Sequence, residues 1–304
     1  MKVFFTGATG VMGRVAVPLL VAAGHDVIGL SRTNEGREWL TRSGAEPSEA
    51  DLLDDEAVAR ATQGVDVVIH FATSIPNLVA MVKPESWAAN DTLRDTATGI
   101  LVDAALANGV GRFIQESITF FYADGGTEWL DESAPIDLTF RSLASALAAE
   151  GHVDRFRHGG GTGVSLRFAR LYGPGDTSRE YIDAVRKRDI PVVGRGVNYV
   201  SSLHIEDAGT AVLTAMSSAD GTYKVCDDEP VQSAVYVDTL AEALKAPRPR
   251  RLPRAAVKLA LGRSVGLLAS SHRVANRKFR ETTGWMPQHP SVVDGWREVL
   301  ASPA

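Results

Sequence analysis

In the stretch "FFTGATGVMGR", Gly7, Gly10 and Gly13 follow an apolar run at three-residue spacing, and glycine there does its chemistry through the backbone. Such a turn takes dihedrals that side chains disfavour, and it lets the main chain approach a pyrophosphate. A helix opening between Gly10 and Arg14 aims its N–H groups and dipole at the phosphates, with Thr9, Val11 and Met12 completing the turn. The next apolar run ends in "GLSR". An NAD site carries an acidic residue at this point to read the ribose hydroxyls, whereas this chain has Ser31 and Arg32, with Arg14 nearby. A hydroxyl and two guanidiniums suit a 2′-phosphate, so NADP(H) is expected in preference to NAD(H). Asp51 and Leu52 in "ADLLD" are placed to meet the adenine amino group. Phe71, Ala72 and Thr73 in "HFATSIP" fall at a strand's carboxyl end, where open α/β sheets bind ligands. His70 reads as a residue packed within that strand.

These positions need a particular scaffold. Short apolar runs alternate with helical patterns: "KVFFTGA", "DVIGLSR", "VDVVIHFAT", "RFIQESI" and "GVSLRFARLYG" read as strands. Between them, "GRVAVPLLVAAG", "DEAVARATQG", "TLRDTATGILVDAALANGV" and the alanine-rich "SLASALAAE" read as helices. That alternation predicts an α/β fold with a doubly wound parallel sheet covered on both faces. With 304 residues, 44% of them hydrophobic, the chain forms one large domain or two smaller ones. A net charge of −5 offers no basic field for nucleic acid or an anionic membrane. Cys226 is the sole cysteine, which excludes an internal disulfide, and no metal-ligand spacing is present. The segment "AAVKLALGRSVGLLASS" is broken by Lys258 and Arg263 and is too short to cross a bilayer. With no leader pattern, a cytoplasmic protein acting on a small molecule is the expectation. After about residue 175 the elements shorten, and "KAPRPRRLPR" at 245–254 reads as a solvated loop feeding a helix.

Six segments, in order, resemble the extended short-chain dehydrogenase/reductase family, the NAD-dependent epimerases and dehydratases. They are "TGATGVMG" at 6–13, "DVVIHFAT" at 66–73, "GVGRFIQES" at 109–117, "LRFARLYGPGD" at 166–176, "VSSLHIEDAG" at 200–209 and "TTGWMPQHP" at 282–290. The resemblance implies a Rossmann domain over 1–175, to which 200–238 returns, and a smaller substrate-binding domain over most of 176–304. It sets Leu171 to Pro174 beside the nicotinamide and gives His204 and Asp207 a structural role. Members of the family often dimerise through two long helices, here 92–107 and 140–156, so a homodimer or a monomer is expected.

In the family, a serine or threonine, a tyrosine and a lysine four residues later carry hydride chemistry. Tyrosine moves the proton, lysine lowers its pKa and holds the ribose, and serine steadies the oxyanion. Ser117 matches the serine. Setting Glu150 on the family's helix glutamate puts Ser142 at the tyrosine position and Ala146 at the lysine position, and the spacing from Ser117 agrees. None of the 6 tyrosines has a lysine four residues on. The family's structural asparagine is likewise replaced, by Arg94, which serves either as an anion site or as a bridge between helices.

The groups left for chemistry are few. Tyr122 supplies a phenol in place of the missing tyrosine or lines the pocket; Glu116 is a carboxylate at the site or a supporting hydrogen-bond partner. Asp124 lies in the same stretch. Ser142 can donate a hydrogen bond but has no adjacent base. Two readings follow. One is an NADP(H)-dependent oxidoreductase or epimerase acting on a small carbonyl or hydroxyl substrate by a non-standard mechanism. The other keeps the nucleotide fold without hydride transfer, as a lyase, isomerase, cyclase or NADP-sensing binding protein.

Overall fold

A computed structural model describes residues 1–139 and 143–301. The first half of the chain runs β1 (Lys2–Thr6), α1 (Gly13–Ala22), β2 (Asp26–Leu30), α2 (Asn34–Arg42), β3 (Glu46–Ser48), α3 (Asp55–Ala61) and β4 (Val67–His70). It continues through α4 (Ala88–Thr92), α5 (Thr98–Ala107), β5 (Arg112–Ile118), β6 (Trp129–Leu130), α6 (Ala144–His158) and β7 (Thr162–Phe168). Then come β8 (Arg170–Tyr172), α7 (Arg179–Arg186), β9 (Val192–Val193), β10 (Tyr199–Val200), β11 (Ser202–His204), α8 (Ile205–Ala215) and β12 (Gly221–Val225). The remainder is β13 (Val231–Gln232), α9 (Ser233–Ala243), β14 (Arg251–Leu252), α10 (Arg254–Leu261), α11 (Gly266–Ala269), β15 (Arg273–Val274), α12 (Arg277–Thr283) and α13 (Val292–Ala301).

Seven strands form one parallel sheet in the order β3-β2-β1-β4-β5-β7-β12. The winding reverses between β1 and β4, and that switch opens a crevice at the carboxyl edge. Strand alternation divides the apolar residues between two layers. Val3 and Phe5 of β1 join Val17 and Leu20 of α1 and Ala208 and Val212 of α8. Phe4 faces the opposite layer, with Leu101 of α5 and Val153 and Phe156 of α6. Each such side chain contributes about 1.5–3 kcal/mol on burial, which fixes which residues reach the carboxyl edge. A second core, with Tyr172, Val185, Tyr236, Leu240, Val292 and Trp296, unites β8 with α7, α9 and α13. No helix among the described residues is long and apolar enough to cross a membrane.

Two elements depart from the sequence reading. The helix expected over "TLRDTATGILVDAALANGV" is interrupted by a π-turn at Leu93–Ala97, between α4 and α5. The cause lies next to it: His70 Nε2 donates to Leu93 O at 3.0 Å, and Arg94 is drawn toward β5. An inserted residue frees the carbonyl that accepts this bond. The strand expected over "GVSLRFARLYG" also divides. β7 stays in the sheet to Phe168, whereas β8 leaves it to pair with β11, with Arg170 opposite Ser202 and Tyr172 opposite His204.

Candidate active site

The glycine turn leaves no space for side chains. Gly7 has φ +79°, and a Cβ there would sit 2.7 Å from the Ala72 nitrogen. A Cβ on Gly13 would sit 2.5 Å from the Ala8 carbonyl carbon. The turn is closed by Gly10 N–H donating to Gly7 O at 3.0 Å. Bare backbone therefore lines the crevice between β1 and β4, the arrangement a pyrophosphate requires, and the residues fit a dinucleotide. Thr9 and Met12 are half-buried, and Val11 is exposed on the turn. Arg14 Nε donates to Thr9 O at 3.1 Å, and its guanidinium lies 4.9 Å from the Trp39 ring centroid. Its cation is thus held beside the turn.

Ser31 is buried, accepts from Thr33 N–H at 3.4 Å and donates to Thr33 O at 3.2 Å. Arg32 is exposed at the end of β2. Asp51 is exposed and takes the Leu53 N–H at 3.0 Å, while Leu52 is buried in the core beside it. Phe71 presents backbone to the crevice. Its ring is core, edge-on to Phe5 at 5.6 Å and to Phe168 at 5.7 Å. Ala72 and Thr73 are half-buried at the same edge. His70 is fully buried, its Nδ1 accepting from Thr6 Oγ1, and burial pushes its pKa down to about 4. It is a neutral structural residue that joins β1, β4 and the π-turn.

The opposite side of the crevice, where proton transfer belongs in this fold, is tied inward. Ser117 Oγ donates to Glu150 Oε1 at 2.6 Å. Arg167 clasps the same carboxylate, Nε to Oε1 at 2.8 Å and Nη2 to Oε2 at 2.6 Å, and its Nη1 donates to the Tyr122 hydroxyl. Adjacent strands set Ser117 opposite Arg167 and Arg167 opposite Lys224, which makes a polar row across β5, β7 and β12. Lys224 Nζ donates to Leu130 O at 2.6 Å and lies 4.2 Å from the Tyr122 ring centroid, and burial lowers its pKa to about 8. Tyr122 is buried, and burial raises its phenol well above the ordinary range despite Arg167. The hydroxyl therefore serves this network. Ala146, at the family's lysine position, is fully buried among Phe121, Tyr122 and Leu143. Ser142 lies outside the described residues.

Glu116 forms a separate buried pair. Arg94 Nη2 donates to both its oxygens, at 2.7 and 2.9 Å, so Arg94 bridges the π-turn to β5. Burial raises the Glu116 pKa, and Arg94 opposes the rise. Asn90, one helical turn before Arg94, accepts the Ser74 N–H at 3.1 Å and pins the loop after β4. The sequence reading sought an asparagine at 94 and passed over this one. Arg167 and Lys224 were also missed, and Glu150 served only as a marker of alignment. Their partners lie on other strands, so their pairing has no local signal.

Beyond β7, Leu171 is half-buried against the core of the nucleotide-binding layer. Arg170 precedes it, its guanidinium ringed by Phe120, Tyr181 and Tyr236 at 5.6, 6.0 and 5.8 Å. Its buried Nε has no hydrogen-bond partner, and no carboxylate among the described residues forms an ion pair with it. An uncompensated guanidinium among aromatic rings is suited to an aromatic anion.

The comparisons with known proteins agree with this architecture. The NAD dependent epimerase/dehydratase family model matches residues 3–226. A 3-diazoavenalumate denitrifying reductase from Streptomyces sp is 37% identical, over 97% of this chain and 99% of the relative. A 2-alkyl-3-oxoalkanoate reductase from Stenotrophomonas maltophilia is 27% identical, over 82% of this chain and 77% of the relative. Among solved structures, the dTDP-glucose 4,6-dehydratase from Streptomyces venezuelae, determined with NAD and TYD bound, superposes with a TM-score of 0.81. It is 20% identical and covers 99% of this chain and 96% of its own. The glycine turn, the switch point and the family match lead to one assignment: the chain belongs to the NAD-dependent epimerase/dehydratase family.

Proposed function

We propose that the chain is an NADP(H)-dependent reductase that removes dinitrogen from an anionic aromatic diazo compound. The observation that carries this reading is the inward tying of the described candidates for acid–base work, with Ser117 on Glu150, Tyr122 on Arg167 and Ala146 sealed in the core. Reduction of a carbonyl produces an alkoxide that has to be protonated, and an enzyme supplies an acid for it. Reductive denitrification does not. A diazonium group takes hydride at its terminal nitrogen, and the aryldiazene formed transfers its hydrogen to carbon as N2 leaves. The balance is Ar–N2⁺ plus H⁻ giving Ar–H plus N2, with no proton consumed. Bound reduced nicotinamide supplies the hydride. The likeness to a reductase named for denitrifying 3-diazoavenalumate supports the same reading.

This chain's residues then bind and orient. Bare backbone at Gly7, Gly10 and Gly13 receives the pyrophosphate, and Arg14 and Arg32 take the 2′-phosphate, while the Ser31 hydroxyl stays on Thr33. Arg170 and its three aromatic neighbours hold the substrate's ring and its anionic group. The test is NADPH oxidation with a carboxylated arenediazonium salt, run beside ketones, aldehydes and nucleotide sugars and against a protein-free control. Turnover is expected with the diazonium and not with the carbonyl compounds. Carbonyl turnover with the diazonium inert would overturn the proposal.

A further inference from the structure

Away from the crevice, the junction of β11 and α8, the loop before α13 and α13 itself bring two imidazoles and three carboxylates together. The loop is anchored by Asp207, which is buried. Its Oδ1 accepts the Gln288 N–H at 2.7 Å, and its Oδ2 accepts the His289 N–H at 2.9 Å. Oδ2 is also 3.2 Å from His289 Nδ1. With Nδ1 donating to that carboxylate, Nε2 is the ring nitrogen that faces the two glutamates. Nε2 lies 3.3 Å from a Glu298 oxygen and 3.7 Å from a Glu206 oxygen. The His204 ring stacks on His289, with centroids 3.8 Å apart, and its Nδ1 is 4.0 Å from the same Glu206 oxygen. One ligand atom each from His204, Glu206 and His289 lies within 4.8 Å of the others.

We propose that His204, Glu206 and His289, joined by Glu298, form a binding site for one divalent transition-metal ion, with Zn²⁺ the best match. Imidazole and carboxylate are its ordinary ligands, at about 2.0–2.2 Å from the ion. Drawing the donors onto one ion requires rotation of Glu206 and Glu298, whose side chains are 59% and 60% exposed. A buried carboxylate that orients a histidine through its Nδ1–H is the outer-shell partner typical of such sites. Here Asp207 fills that role while also fastening the loop. The His204 Nδ1 accepts the Glu206 N–H at 3.3 Å, a helix cap that the ion would replace.

The ion would clamp two regions that are distant in sequence. His204 and Glu206 lie at the junction of β11 and α8, whereas His289 precedes α13 and Glu298 lies on it, and Trp296 of α13 packs in the second core. The site's role is therefore to hold the C-terminal helix onto the nucleotide-binding layer. No cluster of these residues is visible in the sequence, because His204 and His289 lie 85 positions apart (289 − 204).

The test uses the full, tag-free chain after chelator treatment. Zn²⁺ is titrated by calorimetry, and Co²⁺ by its visible absorption. One ion per chain is expected, with tetrahedral Co²⁺ bands and a higher melting midpoint. His289→Ala is expected to abolish binding. Glu206→Gln combined with Glu298→Gln, both exposed and harmless to folding, is expected to weaken it. Asp207→Asn should lower affinity by about 10–100-fold. Circular dichroism and NADPH binding report whether each variant is folded. No saturable binding to the folded native chain, or equal binding by the folded Glu206→Gln, Glu298→Gln variant, overturns the proposal. So does a melting midpoint that responds to acid but not to Zn²⁺, which would mark the cluster as a proton site.

Discussion

The two walls of the crevice are built from different materials. On the β1–β4 side, backbone does the work, through glycines at positions where a Cβ would strike main-chain atoms. On the β5–β7–β12 side, side chains do it, and they face one another rather than the crevice: Ser117, Glu150, Arg167, Tyr122 and Lys224 form one buried network. The first wall retains a general ability to hold a dinucleotide. On the second, the described side chains are committed to internal ion pairs and hydrogen bonds. The fold therefore tells less about the reaction than about the cofactor.

The comparison can be broken at several points. The largest expected effect is on the network wall. Glu150→Ala leaves the Arg167 guanidinium buried without its partner, and loss of one member of such a pair costs about 3–5 kcal/mol. Urea unfolding of the variant checks this; a loss well below that range would mean that the network is solvated and loosely held.

A second prediction concerns the seam between the walls, where His70 ties β1 and β4 to the π-turn. Its folded pKa of about 4 lies below the ordinary value of 6.5. The unfolded chain takes up a proton near pH 6.5 that the folded chain refuses. His70 therefore contributes full stability above that pH, and the contribution is lost as pH falls from 6.5 toward 4. The loss amounts to roughly 3 kcal/mol for a shift of that size. Unfolding curves across this window should be steeper in pH for the native chain than for His70→Gln.

On the backbone wall, Gly13→Val forces a side chain against the Ala8 carbonyl and displaces the turn. Misplacement of about 1 Å typically costs on the order of 10²-fold in rate, and NADPH turnover should show a loss of that size. The smallest effect is expected at Ser117. An oxyanion donor is worth about 10²–10³ in rate, whereas a hydroxyl committed to Glu150 affects mainly stability, by about 1–3 kcal/mol. Ser117→Ala should thus change turnover by less than about tenfold while lowering the unfolding midpoint. A rate loss near the oxyanion-hole range would return Ser117 to catalysis.

The difference between the walls also explains what could be read in advance. The alternation of strands and helices, the parallel sheet and the glycine turn were legible, because periodicity and glycine spacing act over a few neighbouring residues. Ser117 and Glu150, used as anchors, set Ala146 at the lysine position, where it is buried; Ser142, set at the tyrosine position, lies outside the described residues. The partners of the neighbouring polar residues were not legible. Tyr122 was open to two readings, as a phenol or a wall residue, and the structure gives its hydroxyl to Arg167, 45 residues away (167 − 122). Arg94 was evenly divided between anion binding and bridging, and its Nη2 reaches Glu116 on β5. The π-turn was invisible for the same reason: it arises from His70, which belongs to another strand.

The central claim is that this crevice delivers hydride without a protein acid. It is tested most directly by isotope labelling of the product. A carboxylated arenediazonium salt is reduced once with NADPH deuterated at the transferred position, and separately with ordinary NADPH in D2O. The account predicts one N2 per NADPH consumed, deuterium at the vacated ring carbon in the first experiment, and none there in the second. Deuterium taken from D2O at that carbon, or NADPH consumed only with carbonyl substrates, would contradict it.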